Sequence, residues 1–354
     1  MGINTKSNNR LFLGIFNVGF WFLVSIAILL NQKYLNINYA YNSLLSVFLF
    51  YAIYILFQLP FDILGANLTG GNNFNKYWLL QWLVGSVLQF GIWGSLTFFI
   101  YLFSFYGGIT LATFLLLISL PFLQGYFSVL INNKNSIGNI GNSNGNLLIL
   151  DSNEKSFTGG VVFQFFRKIN IISKAIYSSE YYSVELQRRS TAFNVLLKTN
   201  ITLILWNLIG VLTGEFFNIY DSDRIELKIL YLSSWMTIWS FISLILFTRL
   251  SHNHIYACDR SAANDNKALL IKWIKFYPSI VGENGHRNKI KQSVFYPVPR
   301  IENRIESLNR SSSFINLGNL TRQNLFISWA VLNLSARSVH CNVGRPLLWV
   351  LPPS

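Results

Sequence analysis

The sequence predicts an all-α, polytopic membrane protein: six transmembrane helices with further helical segments outside the bilayer. Three observations predict it. First, the 354 residues are 52% hydrophobic and 16% aromatic but only 12% charged, about half the charge of a typical soluble domain. Such a chain has too little polar surface for a water-soluble globule. Second, its apolar residues fall in runs of about 20, the length needed to cross a hydrocarbon core of about 30 Å as a helix. Third, its charges sit in the segments that flank those runs, the usual pattern of topology signals.

The first span is expected at Leu11 to Leu30, a signal-anchor preceded by Lys6 and Arg10. The second runs from about Leu44 to Leu64 and carries Gln58, Pro60 and Asp62 at its end. The third (Trp78 to Phe103) and fourth (Gly107 to Ile131) are separated by a short uncharged turn. Aromatic residues such as Trp78, Trp82, Tyr101 and Tyr106 mark their ends, where amphipathic rings favour the headgroups. Residues 132–146 are Asn- and Gly-rich and lack a core-forming pattern, as in a flexible loop. Leu147 to Leu150 and Gly160 to Phe166 read as short strands, and Lys174 to Asn194 as a polar helix. Two central spans follow, about Leu196 to Leu212 and Leu227 to Phe247. In the tail, Lys267 to Phe276 has amphipathic spacing, and 296–308 reads as an extended entry and a helix. Asn324 to Ala336 is apolar but too short to span, and reads as a buried or interfacial helix.

The domain division expected from these elements is a four-span bundle (1–131), a cytosolic loop and helix (132–195), a central transmembrane hairpin (196–247) and a cytosolic C-terminal segment (248–354). Lys and Arg bias loops toward the cytoplasm. They crowd the stretch 132–198 and the tail from Arg249, whereas the loop between the central spans holds Glu215, Asp221, Asp223 and Glu226 against Arg224 alone. Both termini are therefore expected on the cytoplasmic side, in a membrane such as the bacterial cytoplasmic membrane.

The net charge of +14 belongs to these flanks, so the expected partner surface is the lipid bilayer and no nucleic acid. Cys258 and Cys341 form no CxxC pair and no disulfide framework. Both fall on the side where thiols stay reduced. No phosphate-binding glycine loop is present, because Gly138 to Gly145 lacks a following Lys-Ser or Lys-Thr.

The chemistry should lie at the two polar flanks of the central hairpin. Ser178-Ser-Glu180 leads into Val184-Glu-Leu-Gln-Arg188, and Ala257-Cys-Asp-Arg-Ser-Ala-Ala263 follows the second central span. Tyr296-Pro297 and Arg304-Ile305 through Leu308 come after that. The order of these motifs around an inserted pair of spans resembles the membrane gluzincin metallopeptidases, the HtpX and CAAX prenyl endopeptidase type, over about residues 175–310. The resemblance implies a zinc held by two His one helical turn apart and a Glu from a second helix, with a Glu as general base. Val184 and Arg188 stand in the two His slots, and Ala257 stands where the third ligand belongs. Glu185, Leu186, Asp259 and Ala262 match the pattern, as do Pro297, Arg304, Ile305 and Leu308. A guanidinium has no lone pair to give a metal.

The expected function is therefore that of a gluzincin-like pseudopeptidase, with no cofactor, that binds or scaffolds a membrane protein or peptide. The candidates for retained catalytic roles are Glu185, Asp259 and Arg304. Glu185 also reads as a solvated helix-face carboxylate near Arg188 and Arg189. Asp259, Arg260 and Arg304 read as an ion-paired core holding the tail against the 175–195 helix, with Glu185 available to Arg260 or Arg304. The alternatives are an active metallopeptidase with a non-standard site at His252, His254 and Cys258, completed by His340 and Cys341, or a transporter. Asp62 reads as a cap for a turn at Gly65, or else as a functional intramembrane carboxylate.

Overall fold

The computed structural model describes residues 3–38, 44–68, 75–132, 136–137, 146–310 and 315–351. Most of the Asn- and Gly-rich loop expected at 132–146 lies outside them. The membrane part is built from α1 (Ile3–Leu30), α3 (Leu44–Leu68), α4 (Lys76–Asn132), α6 (Tyr182–Phe216) and α7 (Ile225–Val281). The short helix α2 (Gln32–Asn38) follows α1. These five long helices are apolar enough to cross a membrane. α4 turns back at Gly108, whose φ of 75° and ψ of 170° leave the helical region, so each of its two parts is long enough to cross by itself. Only glycine adopts that backbone without strain. The two halves of α4 lie together, so that Tyr77 and Leu80 share a wall with Leu130 and Asn132.

The central helices are far longer than a bilayer needs. In α6 the apolar stretch is 196–212, and its first turns, from Tyr182, are polar. In α7 the apolar stretch ends near Phe247 while the helix continues. It breaks at Asn266, whose extended backbone (φ −151°, ψ 87°) ends one segment. The Asn266 Oδ1 accepts from Leu269 N at 2.9 Å, capping the next segment. Gly282 in the left-handed region then terminates α7.

Between α4 and α6 in the chain lies a small sheet, in the order β1-β2-β4-β3. Its strands are β1 (Ser136–Ile137), β2 (Leu147–Leu150), β3 (Gly159–Gln164) and β4 (Arg167–Ser173). β2 pairs parallel with β4, and β3 pairs antiparallel with it, from Gly159 opposite Ile172 to Gln164 opposite Arg167. The short helix α5 (Lys174–Tyr177) leads from β4 towards α6. The tail contributes α8 (Lys289–Phe295), α9 (Ile301–Ser307) and α10 (Leu320–Ile327).

Residues 320–351 carry the segment read as a buried or interfacial helix, and the burial extends well beyond it. They are buried among the spans throughout, apart from His340 and Cys341, which are partly exposed. Only the first eight are α-helical, so the rest must satisfy its backbone through neighbours. The bundle supplies the donors: Tyr54 Oη donates to Leu334 O (2.6 Å), and Ser233 Oγ to Leu332 O (2.7 Å). Likewise Trp78 Nε1 donates to Gly344 O (2.9 Å), and Gln124 Nε2 to Val350 O (3.0 Å). An apolar, partly irregular segment is stable here because protein, not lipid or water, surrounds it.

Asp62 anchors this plug. It caps no turn at Gly65, since α3 runs on to Leu68. Instead its carboxylate pairs with Arg337 (Nη2–Oδ2 2.5 Å) and accepts from Trp82 Nε1 and Gly344 N, each at 2.9 Å. Gly65 is needed for the close approach: a Cβ there would sit 2.6 Å from Val343 O.

Candidate functional site

The polar turns of α6 and the extension of α7 meet outside the apolar stretches, and a chain of buried charges joins them. Arg188 bridges the two helices: its Nε donates to Asp259 Oδ1 (2.8 Å) and its Nη1 to Glu185 Oε2 (2.6 Å). Arg189 Nε donates to Glu185 Oε1 at 2.9 Å. From α9, Arg304 reaches the same Asp259, with Nε at 2.7 Å from Oδ2 and Nη2 at 2.8 Å from Oδ1. Trp273 Nε1 adds a further donor to Glu185 Oε2 at 3.1 Å. All five charged side chains are buried.

Helical geometry explains the Glu185 contacts, since positions three and four residues on lie on the same face. Glu185 pairs with Arg188 and Arg189, not with Arg260 or Arg304. Arg260 points to the Tyr256 and Arg310 carbonyls. Nor is Glu185 solvated, because Val184, Trp273 and Tyr277 close over this end of α6. For both carboxyls burial acts to raise the pKa. The guanidiniums outweigh it, Arg188 and Arg189 for Glu185, Arg304 and Arg188 for Asp259, and both titrate below their ordinary values.

The sheet is locked to the same cluster. Arg189 Nη2 donates to Thr158 O at 2.6 Å, and its Nη1 to Ile171 O. The edge of β3 is covered by the tail, with Arg322 donating to Gly159 O and Gln323 Nε2 to Val161 O (3.2 Å). Gly159 has φ +93°, and a Cβ on it would stand 2.0 Å from Ile171 O and 2.8 Å from Arg189 Nη1. The glycine pair 159–160 thus lets the strand pass beneath the two arginines.

The residues of the alternative metal set do not converge. Cys258 Sγ is 3.5 Å from His254 Nε2, one helical turn away. His254 Nδ1 also meets Asn316 Oδ1 at 2.9 Å. His252 is turned to Tyr296 O (2.8 Å), and His340 lies beside Glu283 at 3.6 Å. Among the described residues no group of three His, Cys, Asp or Glu side chains could hold a metal ion. Glu185 and Asp259, the carboxylates nearest the junction, are already engaged by guanidiniums. This donor set does not fit zinc.

One cavity adjoins the junction, and a second, larger one lies apart with Arg322 in both walls. The first, of about 60 Å³, is lined by Arg188, Arg189, His254, Cys258, Asn319 and Arg322, among others. The second, of about 300 Å³, is apolar and lies between α1, α7 and the tail, against Leu11, Ile15, Phe241, Leu325 and Cys341. Sequence reasoning missed Arg322 and Arg337. The available signal was an arginine inside an otherwise apolar stretch, which marks a buried partner.

No family model matches the chain, and no curated protein matches it. Among solved structures, the crystal structure of S. mikatae Ste24p is similar, with a TM-score of 0.60 and 14% identity over 80% of each chain. The likeness is one of fold: this chain is a multi-pass membrane protein with a Ste24p-like fold.

Proposed function

We propose that this chain is a pseudopeptidase: it keeps a membrane gluzincin scaffold without the zinc and uses it to bind or scaffold another membrane protein or peptide. The observation that carries the reading is Arg188. In the sequence resemblance it occupies a ligand slot, and in the fold its guanidinium joins α6 to α7 through Glu185 and Asp259. Two helices that would share a metal are tied by charge pairs instead. Val184 and Ala257, in the other two slots, offer only hydrocarbon. The apolar cavity of about 300 Å³ beside α1 supports a binding role, since it gives a partner's apolar group a place to enter.

Metal analysis of the purified protein tests this. The expected result is no stoichiometric zinc. One equivalent that survives dialysis and is lost on His254→Ala would overturn the reading. It would favour a peptidase with a metal at His254 and Cys258, whose 3.5 Å contact is the one feature on its side.

For the topology, both termini and the 146–198 region belong on the cytoplasmic side, following the Lys and Arg bias. Cysteines introduced at exposed Asp223 and Lys155 should then label from outside at 223 only. Labelling at 155 but not 223 reverses the orientation.

A further inference from the structure

The smaller cavity carries more positive charge than its walls balance. Among the described residues, Arg188, Arg189, Arg304 and Arg322 stand in and around it against two carboxylates, Glu185 and Asp259. Those carboxylates are taken up by Arg188, Arg189 and Arg304. Arg322 is only 6% exposed, yet among the described residues it makes no ion pair: an Nη2 donates to Gly159 O, and its Nε has no hydrogen-bond partner there. Two more buried polar atoms of the same wall, Asn319 Nδ2 and Gln323 Oε1, are also without partners. Neither His254 nor Cys258 brings a carboxylate.

Burying a guanidinium without a counter-charge is strongly unfavourable, and orphaned donors in one place mark a missing acceptor. The space beside them, about 60 Å³, suits a few non-hydrogen atoms. Gly318 keeps the wall close, since at φ +84° a Cβ would run into Thr199 Oγ1 at 1.8 Å.

We propose that this cavity is a binding site for a small carboxylate, held by Arg322 Nε–H and Asn319 Nδ2–H. Planar carboxylate and planar guanidinium are matched in geometry, and such charge-assisted bonds are short and strong. Gln323 Oε1 accepts from a donor carried with the carboxylate or from a bridging water. The carboxylate belongs either to a free small acid or to the end of a peptide. The site does not depend on whether the chain is catalytic, so it stands or falls apart from the function proposed above.

The test is the thermal stability of the full-length protein in detergent, with sodium acetate replacing sodium chloride at constant ionic strength. Acetamide is the neutral control. The expected result is a melting temperature that rises with acetate and saturates, with no response to acetamide. In Arg322→Gln the response should weaken by roughly tenfold or more, the loss expected for a hydrogen bond to a charged group. Gln323→Glu is the second variant: a resident carboxylate in the wall should remove the acetate response while the protein stays folded. A short peptide that stabilises with a free C-terminus but not when amidated identifies a peptide end as the source; acetate alone acting identifies a free acid. No saturable response to acetate or free-acid peptide, or equal responses in wild type and both variants, overturns the site.

Discussion

Asp62 and Asp259 are both fully buried, and each holds an arginine from a distant part of the chain. Their surroundings differ. At Asp62 the charges match one to one: Arg337 spends its donors on Asp62, Gln89 Oε1 (2.9 Å) and Ser86 Oγ (3.2 Å). Its guanidinium lies 3.6 Å over the Trp349 ring. The pair is enclosed by aromatic rings and plugs the tail into the bundle. At Asp259 the cations outnumber the carboxylates, the donors are shared between Arg188 and Arg304, and a cavity adjoins the cluster. A neutral, satisfied, closed pair is a structural clamp. A cluster with surplus charge and open space beside it is arranged for something else to enter.

The largest expected effect lies at the clamp. Asp62→Ala or Arg337→Ala leaves one uncompensated charge in a dry interior, which costs about 3–5 kcal/mol. Removing both partners should cost less than removing either, because no lone charge remains. Unfolding of the three purified variants, followed by the fluorescence of the tryptophans around Arg337, measures this. A double variant as unstable as the sum of the singles would show that packing, not charge, fixes the tail.

The next effect is Asp259→Ala, expected near the lower end of that range, at about 3 kcal/mol, because water can reach the adjoining cavity and Glu185 still pairs with Arg188. It has a pH signature. Asp259 and Glu185 titrate below their ordinary values in the folded state. Their contribution is therefore present above the unfolded carboxylate range, about pH 4, and is lost as pH falls through the lower folded values. Wild type should lose stability on acidification more steeply than Asp259→Asn. Equal acid profiles would mean that the cluster contributes nothing to the junction of α6 and α7.

The meeting of α6 with α7 was implied by the family resemblance alone, but the sequence carried the spans and the polar flanks, because apolar run length and charge placement are one-dimensional signals. The separation of the third and fourth spans was readable for the same reason, and Gly107-Gly108 supplies the turn. Strand β4 was not readable as such: it joins β3 through Phe165-Phe166, with Phe165 at φ 51°, and no Asn-Gly or Asp-Gly pair announces the hairpin. The burial of the whole tail was only partly legible, for a different reason. Its arginines resemble the cytosolic flanks in composition, yet Arg337 and Arg322 are buried. Whether a charge is paired with Asp62, 275 residues away, or exposed to water is a three-dimensional fact. Glu185 illustrates the same point, since its partners are legible from helical spacing but its burial under Trp273 is not.

The smallest expected effect sets the scale for the others. Asp151 and Lys174 form an ion pair of 3.1 Å, only a few tenths of an ångström longer than those of the buried clusters, but their side chains are 43% and 49% exposed. Water and salt screen such a pair, and ordering two mobile side chains offsets much of the Coulomb gain, leaving about 0–1 kcal/mol. Asp151→Ala should therefore shift stability by less than one third of the Asp259→Ala effect, and its small effect should vanish in high salt. The buried variants should keep most of theirs. If Asp151→Ala matched Asp259→Ala at low and high salt alike, burial would not be what distinguishes these pairs. The contrast between a closed clamp at Asp62 and a charge-rich junction at Asp259 would then lose its electrostatic basis.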